Sequence, residues 1–149
     1  MQNTKTFPAY YPITAKEIVK VKNWWLRIEA ADAFESMRNA YQALFPHLKF
    51  VITDAGRTHA QQIDVYRRKP GLAAKPGNSW HESGAAVDVD VKRIKRESGW
   101  NQDELEAFCE KYNFHRTVAA ESWHFEWHTD DFPRNNKTLK EGIRYIDND

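Results

Sequence analysis

The sequence predicts an α+β fold in a single domain, and three observations predict it. The length of 149 residues suits one compact domain with a sizeable core. Apolar residues recur at helical spacing over residues 33–45 and again over 105–112, which predicts two amphipathic helices. Strict alternation over 87–91 predicts a strand with valines on one face and Asp88 and Asp90 on the other.

The N-terminal elements come first in the chain. Residues 1–13 form an arm rich in proline and aromatic residues, which we expect to pack in an extended form against the domain. Thr14 and Glu17 fit a capping box at the start of a short helix. Trp24 and Trp25 follow at a break, where packing in the core or under a lid is favoured over a sugar or peptide groove.

A strand, a helix and a loop are predicted next. Residues 48–53 have the pattern of a strand, and the turn after them leads into a helix that Thr58 is expected to cap. On that helix Ile63 and Tyr66 are expected to face inward. The stretch 67–77 is basic and rich in Pro and Gly, which predicts a loop.

The second half of the chain completes the mixed fold. The basic run 92–96 is interpreted as a solvated turn. Cys109 lies on the apolar stripe of its helix, which indicates a buried structural thiol. Residues 114–118 and 123–128 predict two further strands. The tail over 130–149 is polar and too short to form a separate binding module.

Composition and charge narrow the functional class. A net charge of +1 gives no strong field for nucleic acid. Hydrophobic content of 41% with 13% aromatic residues is typical of a globular protein. Neither a signal peptide nor a membrane-spanning stretch is recognisable, so we expect synthesis in the cytoplasm. We also expect a monomer. The single cysteine excludes an intrachain disulfide.

Two stretches carry residues that suit a zinc site. In the first, a loop delivers His81 seven residues ahead of Asp88, and Gly84 is expected to allow a tight turn between them. An imidazole and a carboxylate are both common zinc ligands. The second stretch offers His124 as a third ligand and Glu121 as a base, since catalytic zinc sites use three protein ligands and keep one position open.

Neighbours on the same strand faces leave alternatives open. On a strand over 123–128, His124, Glu126 and His128 share a face. From the residues alone, the third ligand is therefore either His124 or His128. Glu126 could then orient a ligand imidazole, and His128 could line the cleft. Asp90 competes with Asp88 in the same way. A polar sheet face with satisfied histidines and no metal is the remaining interpretation.

The two stretches resemble the signatures of a known family. The pattern Ser79-x-His81-x-x-Gly84-x-Ala86-x-Asp88 matches the S-x-H-x-x-G-x-A-x-D signature of zinc D-alanyl-D-alanine carboxypeptidases and dipeptidases at every fixed position. The pattern Glu121-x-Trp123-His124 matches their E-x-W-H signature. The resemblance implies the fold shared by D,D-peptidases and hedgehog-type proteins, a small antiparallel sheet with helices packed on one side.

The same resemblance assigns the site. It implies one Zn²⁺ per chain, bound by His81, Asp88 and His124, and it thereby decides against Asp90 and His128. It also implies that Glu121 accepts a proton from water and passes it to the leaving amine. Family members further carry a G-x-R or G-R element followed by a Gln and an aromatic residue. This chain has Gly56-Arg57, Gln62 and Tyr66, without the residue usually found between the Gly and the Arg.

In the family this arginine acts on the substrate oxyanion or carboxylate, a role that suits a charged, forked donor. From the residues alone, an ordinary salt bridge of Arg57 at the start of a helix is an equal alternative. The resemblance therefore makes Arg57 and Glu121 candidate catalytic residues. Candidate substrate contacts are Ser79, Gln62 and Trp123.

The resemblance also implies a substrate and leaves several functions open. The implied substrate is a peptidoglycan stem peptide cut at or near D-Ala-D-Ala. A Glu in E-x-W-H is closer to the carboxypeptidases than to the L-alanyl-D-glutamate endopeptidases, which usually carry Asp there. A phage or prophage lysin that reaches the cell wall after release and a cytoplasmic D-Ala-D-Ala dipeptidase both fit. The non-enzymatic alternatives are a silent zinc-binding module, which the intact Glu121 argues against, and a phage structural component.

Overall fold

The structure, a computed structural model, describes residues 10–12 and 25–145. The predicted helix cap at 14–17, Trp24 and most of the N-terminal arm lie outside the described residues. The strands are β1 (Tyr10–Pro12), β2 (Trp25–Arg27), β3 (Ile52–Asp54), β4 (Ala86–Val89), β5 (Phe114–His115) and β6 (His124–Trp127). The helices are α1 (Ile28–Leu44), α2 (His59–Arg68), α3 (Val91–Ser98), α4 (Gln102–Glu110), α5 (Asn136–Gly142) and a 3₁₀ helix (Trp80–Ser83).

A four-stranded antiparallel sheet in the order β3-β4-β6-β5 forms the centre of the fold. Val87 lies opposite Phe125, and Asp88 lies opposite His124. Because directly opposed residues point to the same face of an antiparallel sheet, one face is apolar and the other carries the polar side chains. The predicted α+β fold with a small antiparallel sheet in a single domain is confirmed. Strands β1 and β2 form a separate antiparallel ribbon.

Helices cover the apolar face of the sheet. Phe34 of α1 contacts Phe114 of β5 with ring centroids 6.4 Å apart, and Tyr41 contacts Phe108 of α4 at 6.0 Å. Cys109 is fully buried on the same helix, as predicted, and burial raises the pKa of its thiol far above neutral pH. The apolar stripe predicted for α4 is therefore confirmed as core, and that of α1 is confirmed except at Leu44, which is 59% exposed. No helix in the described part of the chain is both long and apolar enough to cross a membrane.

Three local predictions can be compared with the structure. The basic run 92–96 is helical and not a turn, because the Asp90 side chain accepts a hydrogen bond from the Arg93 backbone and caps α3, which ends the strand at Val89. The predicted strand 48–53 contains regular strand only from Ile52 onward. Thr58 does cap α2 as predicted.

The inward orientation of Ile63 on α2 was predicted wrongly, whereas Tyr66 is partly buried. Ile63 is 37% exposed, whereas the neighbouring Gln62 is fully buried. Hydrophobicity favoured burial of Ile63. Instead the Gln62 side chain faces inward, where it forms hydrogen bonds with the Arg57 side chain and the Ala74 carbonyl. A polar network can thus override a short apolar pattern on a ten-residue helix.

The stretch beyond residue 130 packs against the domain as far as the structure describes it. Leu139 and Ile143 are buried, and Arg144 is 2% exposed with its guanidinium 4.9 Å from the ring of Trp25. The Arg144 backbone N–H donates to the Glu82 carbonyl at 2.9 Å, and its carbonyl accepts from the His59 N–H at 2.8 Å. This segment therefore supports the 3₁₀ helix that precedes β4.

Candidate metal centre

The 3₁₀ helix Trp80–Ser83 holds His81 in place. The Ser79 hydroxyl accepts a hydrogen bond from the His81 N–H at 3.2 Å, and the Glu82 carboxylate accepts one from the Ser79 N–H at 3.1 Å. This is a capping box, in which two exposed backbone donors are satisfied reciprocally. Ser79 is 6% exposed. The stretch was predicted as a loop, but the Ser79-x-x-Glu82 pattern was a readable signal for a helix start.

Glu82 ties the 3₁₀ helix to its surroundings. Its carboxylate is fully buried, and besides Ser79 it accepts the Gly77 N–H at 2.8 Å and contacts His59 Nδ1 at 2.7 Å. A buried carboxylate is costly unless such partners surround it. Glu82 therefore fixes the approach to His81 from the preceding loop and from helix α2.

Gly84 makes the turn between His81 and β4, as the sequence predicted. Its φ is +66°, and a Cβ placed there would lie 2.5 Å from Cζ3 of Trp25 and 2.8 Å from the Arg27 backbone nitrogen. The turn thus requires both a left-handed conformation and the absence of a side chain. Strand β2 can approach the motif closely because of this glycine.

The polar face of the sheet brings the predicted ligands together. Asp88 on β4 lies opposite His124 on β6, and Ala86 lies opposite Glu126. Opposed side chains on an antiparallel pair are separated by about 5 Å at Cβ. The small, fully buried Ala86 therefore leaves room for the Glu126 carboxylate beside His124.

His81, Asp88 and His124 form one compact group. Candidate ligand atoms of the three residues all lie within 4.8 Å of one another. Asp88 Oδ1 is 3.2 Å from His81 Nε2 and 3.0 Å from His124 Nδ1. The outward nitrogens are also engaged, His81 Nδ1 with the Ala55 carbonyl at 2.6 Å and His124 Nε2 with Glu126 Oε2 at 2.7 Å. Each ring thus turns one nitrogen toward Asp88 and the other toward a fixed acceptor.

Burial and hydrogen bonding act in opposite directions on the charges of this group. Burial raises the pKa of Asp88, but His81 and His124 outweigh it and hold that pKa well below its usual range. Burial lowers the pKa of His124, but hydrogen bonds with Asp88 and Glu126 outweigh it and raise the pKa to about 9. Burial likewise raises the pKa of Glu126, and its bonds with His124, His128 and Arg134 bring it well below the usual range. Two ionised carboxylates therefore flank the protonated His124 ring, and a metal ion that bound at its Nδ1 would displace a proton from it.

The donor set fits zinc. Two imidazole nitrogens and one carboxylate oxygen are typical zinc ligands, and tetrahedral bonds of about 2.1 Å would separate ligand atoms by roughly 3.4 Å. The separations of 3.0 and 3.2 Å to Asp88 Oδ1 are close to that value. Three protein ligands would leave a fourth position for water or substrate.

The rival ligands take other positions. Asp90 caps helix α3 and is not in the group. His128 does share the face of His124, as predicted, but its Nε2 contacts Glu126 Oε1 at 2.9 Å and its ring lies 4.5 Å from that of Trp80. The Glu126 carboxylate therefore joins the rings of His124 and His128, and His128 is not in the group of three.

Glu121 and Trp123 lie on the turn that leads into β6. The His124 N–H donates to the Glu121 carbonyl at 3.3 Å, so the two residues share one turn of chain. Glu121 is half-buried, and none of the described residues forms a hydrogen bond with its carboxylate. It does not belong to the group of three ligands. Trp123 is 43% exposed, so its ring is accessible to a ligand.

Arg57 forms the salt bridge that was one of its two predicted roles. Its Nε and Nη2 contact Asp54 Oδ2 at 3.0 and 2.5 Å, and its Nη1 donates to Gln62 Oε1 at 2.8 Å. Gln62 in turn donates to the Ala74 carbonyl at 2.9 Å and has no exposed surface. The Arg57 backbone N–H donates to the His81 carbonyl at 2.9 Å, so the same residue is anchored beside the ligand group. We assign Gln62 to holding this guanidinium.

Replacing Arg57 by alanine is therefore expected to reduce stability as well as any activity. The change leaves the buried oxygen of Gln62 without its donor, which typically costs about 1–3 kcal/mol. Urea unfolding of Arg57→Ala measures this loss. Arg68→Ala is the matched control, since Arg68 pairs with Asp64 at 3.0 Å with both side chains 58% exposed, and exposed pairs contribute about 0–1 kcal/mol. Equal unfolding free energies for the two variants would contradict the structural role of Arg57.

Several supporting residues had not been identified from the sequence. Asp54 and Ala55 precede Arg57 closely, but a single carboxylate and a backbone carbonyl carry no motif of their own. Arg134 donates to Glu126 Oε1 at 2.7 Å from a loop that follows β6, and nothing in the local pattern connects these two positions. Glu82 was readable from the capping-box spacing.

Comparisons with known proteins identify similar folds. Neither a family model nor a curated protein sequence matches this chain. The LdcB LD-carboxypeptidase, whose structure is described as revealing the molecular basis of peptidoglycan recognition, matches with a TM-score of 0.61 and 18% identity. That match covers 93% of this chain and 79% of the other.

The vancomycin-resistance D,D-pentapeptidase VanY of a VanB-type cassette matches in two forms. A mutant in complex with Zn(II) gives a TM-score of 0.56 at 17% identity, covering 89% of this chain and 90% of the other. The complex with D-alanine-D-alanine also gives 0.56, at 18% identity with 89% of each chain covered. At these identities the matches establish a shared fold, which agrees with the fold that the two motifs implied.

Proposed function

We propose that this chain is a zinc-dependent peptidase that hydrolyses peptidoglycan stem peptides as a D-Ala-D-Ala carboxypeptidase. The observation that carries the proposal is the convergence of His81, Asp88 and His124 on one point of the polar sheet face, with Glu121 on the adjoining turn. Zn(II) and D-alanine-D-alanine bound to proteins of the same fold, and peptidoglycan recognition by another, support the metal and the substrate class.

The candidate ligands and Glu121 have separate roles in the proposed reaction. His81 Nε2, one Asp88 oxygen and His124 Nδ1 would hold the ion. Zinc, when bound, supplies Lewis acidity toward the scissile carbonyl and toward water. Glu121 accepts a proton from the attacking water and delivers it to the leaving amine. A half-buried carboxylate that bonds to no described residue, on the turn that leads to His124, is suited to this role.

Two further residues would contact substrate. Arg57 has donor hydrogens beyond those used by Asp54 and Gln62, because a guanidinium carries five, and they can serve an oxyanion or a terminal carboxylate. The exposed ring of Trp123 would provide one wall of the cleft. Ser79 contributes through the cap that holds His81.

Digestion of purified peptidoglycan tests the proposal. The zinc-loaded protein is incubated with muropeptides that carry pentapeptide stems, and the products are identified by mass spectrometry. We expect stems shortened by one alanine; loss of activity on chelation and its return with Zn²⁺ provide the control. Release of a D-Ala-D-Ala dipeptide, or cleavage after L-alanine, would instead assign a dipeptidase or an endopeptidase. Unchanged muropeptides with folded, zinc-loaded protein would refute a peptidase acting on this substrate.

A second assay, on a suspension of purified cell walls, addresses the biological setting. A phage or prophage lysin, which we propose as the setting of this activity, must attack intact cell walls as well as soluble fragments. Turbidity of a suspension of purified cell walls measures that attack. Clearing of the suspension would require cleavage within the cross-linked stems in addition to removal of terminal alanines, and it would support a lysin. Removal of terminal alanines without clearing would oppose it.

A further inference from the structure

The two candidate histidine ligands are oriented by different kinds of acceptor. His81 Nδ1 is bonded to a backbone carbonyl, that of Ala55, at 2.6 Å. His124 Nε2 is bonded to a side chain, Oε2 of Glu126, at 2.7 Å. A carboxylate oxygen and a carbonyl oxygen can only accept, so each of these nitrogens carries its ring's proton. The opposite nitrogen of each ring faces Asp88, and an ion bound there would take the place of any proton on that nitrogen.

The Glu126 carboxylate is itself fixed on all sides. Its side chain is 2% exposed, and Oε1 accepts from His128 Nε2 at 2.9 Å and from Arg134 Nε at 2.7 Å. These two donors leave Oε2 directed at His124. His128 Nδ1 is buried and has no hydrogen-bond partner among the described residues, so the contact of its ring with Glu126 is its one hydrogen bond there.

The strand geometry explains why Glu126 can reach the ring. His124 and Glu126 are two residues apart on β6 and therefore point to the same face of the sheet. The opposed residue on β4 is Ala86, whose small side chain does not compete for the space. Within the described part of the chain, Glu126 provides the side chain that bonds to the nitrogen of His124 opposite Asp88.

We propose that Glu126 is the positioning residue of the metal centre, which holds His124 in the tautomer that presents Nδ1 to the ion. His128 and Arg134 serve it by keeping the carboxylate in place. The inference rests on the proposed zinc site. Acceptors of this kind, behind a ligand imidazole, typically change metal affinity by roughly 10- to 100-fold when they are removed.

Zinc affinity of three variants tests the inference, measured by competition with a chromogenic chelator. We expect Glu126→Ala to bind zinc roughly 10- to 100-fold more weakly than the parent protein. Glu126→Gln keeps the size and one acceptor oxygen, and its affinity is expected to fall between the two. Glu106→Gln is the matched control, since Glu106 also pairs with an arginine, Arg116, but lies outside the ligand group, and it is expected to bind zinc as the parent does.

A second measurement separates orientation of the ring from general loss of structure. Nitrogen-15 NMR of the zinc-loaded protein reports which ring nitrogen of His124 carries the proton, and we expect Nε2 in the parent and a changed signal in Glu126→Gln. Visible absorption of the cobalt(II)-substituted protein gives an independent record of the ligand set. Equal zinc affinity of Glu126→Gln, Glu126→Ala and the parent, with an unchanged His124 signal, would overturn the inference. Absence of zinc binding by the parent would instead refute the metal site itself.

Discussion

Glu121→Gln is expected to lower the rate of stem-peptide hydrolysis by roughly 100- to 10,000-fold, the usual contribution of a general base. Glutamine has the same shape but cannot take a proton from water. Since Glu121 lies outside the group of three ligands and no described residue bonds to its carboxylate, zinc binding and the melting temperature are expected to stay unchanged. Steady-state kinetics, metal analysis and thermal unfolding of the same preparation provide the three readings.

The same variant also separates an enzyme from a silent binding module. A module would bind zinc but show no hydrolysis in the parent protein, so there would be no activity for the variant to lose. Glu141→Gln is the matched control, because Glu141 is an exposed glutamate paired with Lys137 on helix α5. Equal hydrolysis by parent and Glu121→Gln would show that another group accepts the proton.

His81→Ala is expected to abolish zinc binding, from about one equivalent per chain to none. Removing one of three ligands leaves two, which is too few for a stable protein zinc site. Because a ligand that binds only the folded state stabilises it by about 2.7 kcal/mol at 100 times its dissociation constant, added zinc should raise the melting temperature of the parent but not of this variant. Metal analysis after dialysis and thermal unfolding with and without zinc measure the effect.

Two further histidine variants complete this experiment. His47 is exposed at the end of helix α1, and His47→Ala should keep full zinc occupancy. His124→Ala should lose zinc as His81→Ala does. Full zinc in His124→Ala together with its loss in His128→Ala would transfer the third ligand to His128, the alternative that the strand pattern had left open.

The sequence was most informative where a residue type is required by its own chemistry. The five fixed positions of the first motif include the turn glycine, whose φ of +66° and contact with Trp25 exclude other residues, and the two residues that meet at one carboxylate oxygen. The stripes of α1 and α4 were predictable because apolar residues spaced at 3.6 per turn are typical of a helix with one buried face. The predicted cap residue Thr58 also matched the structure.

Long-range partners could not be found in this way. The bond between Arg134 and Glu126 joins a loop to a strand, and the contact of Arg144 with the 3₁₀ helix joins two segments that are far apart in the chain. Such pairs depend on the packing of the whole chain, which local patterns do not contain. For the same reason Gln62 was recognised by its motif position, while its burial behind Arg57 became visible only in three dimensions.

The hydrogen bonds that join His81 to the strand end before helix α2 have a consequence for substrate choice. His81 is bonded to the Ala55 carbonyl through its ring and to the Arg57 N–H through its carbonyl, so two hydrogen bonds hold the segment of the ligand residue against the segment of the guanidinium-bearing residue. The distance between the reacting centre and a bound carboxylate would then be fixed by main-chain geometry and not by loop movement. If Arg57 binds the terminal carboxylate of a substrate, as proposed above, these bonds would favour peptides with a set number of bonds between that carboxylate and the cleaved amide.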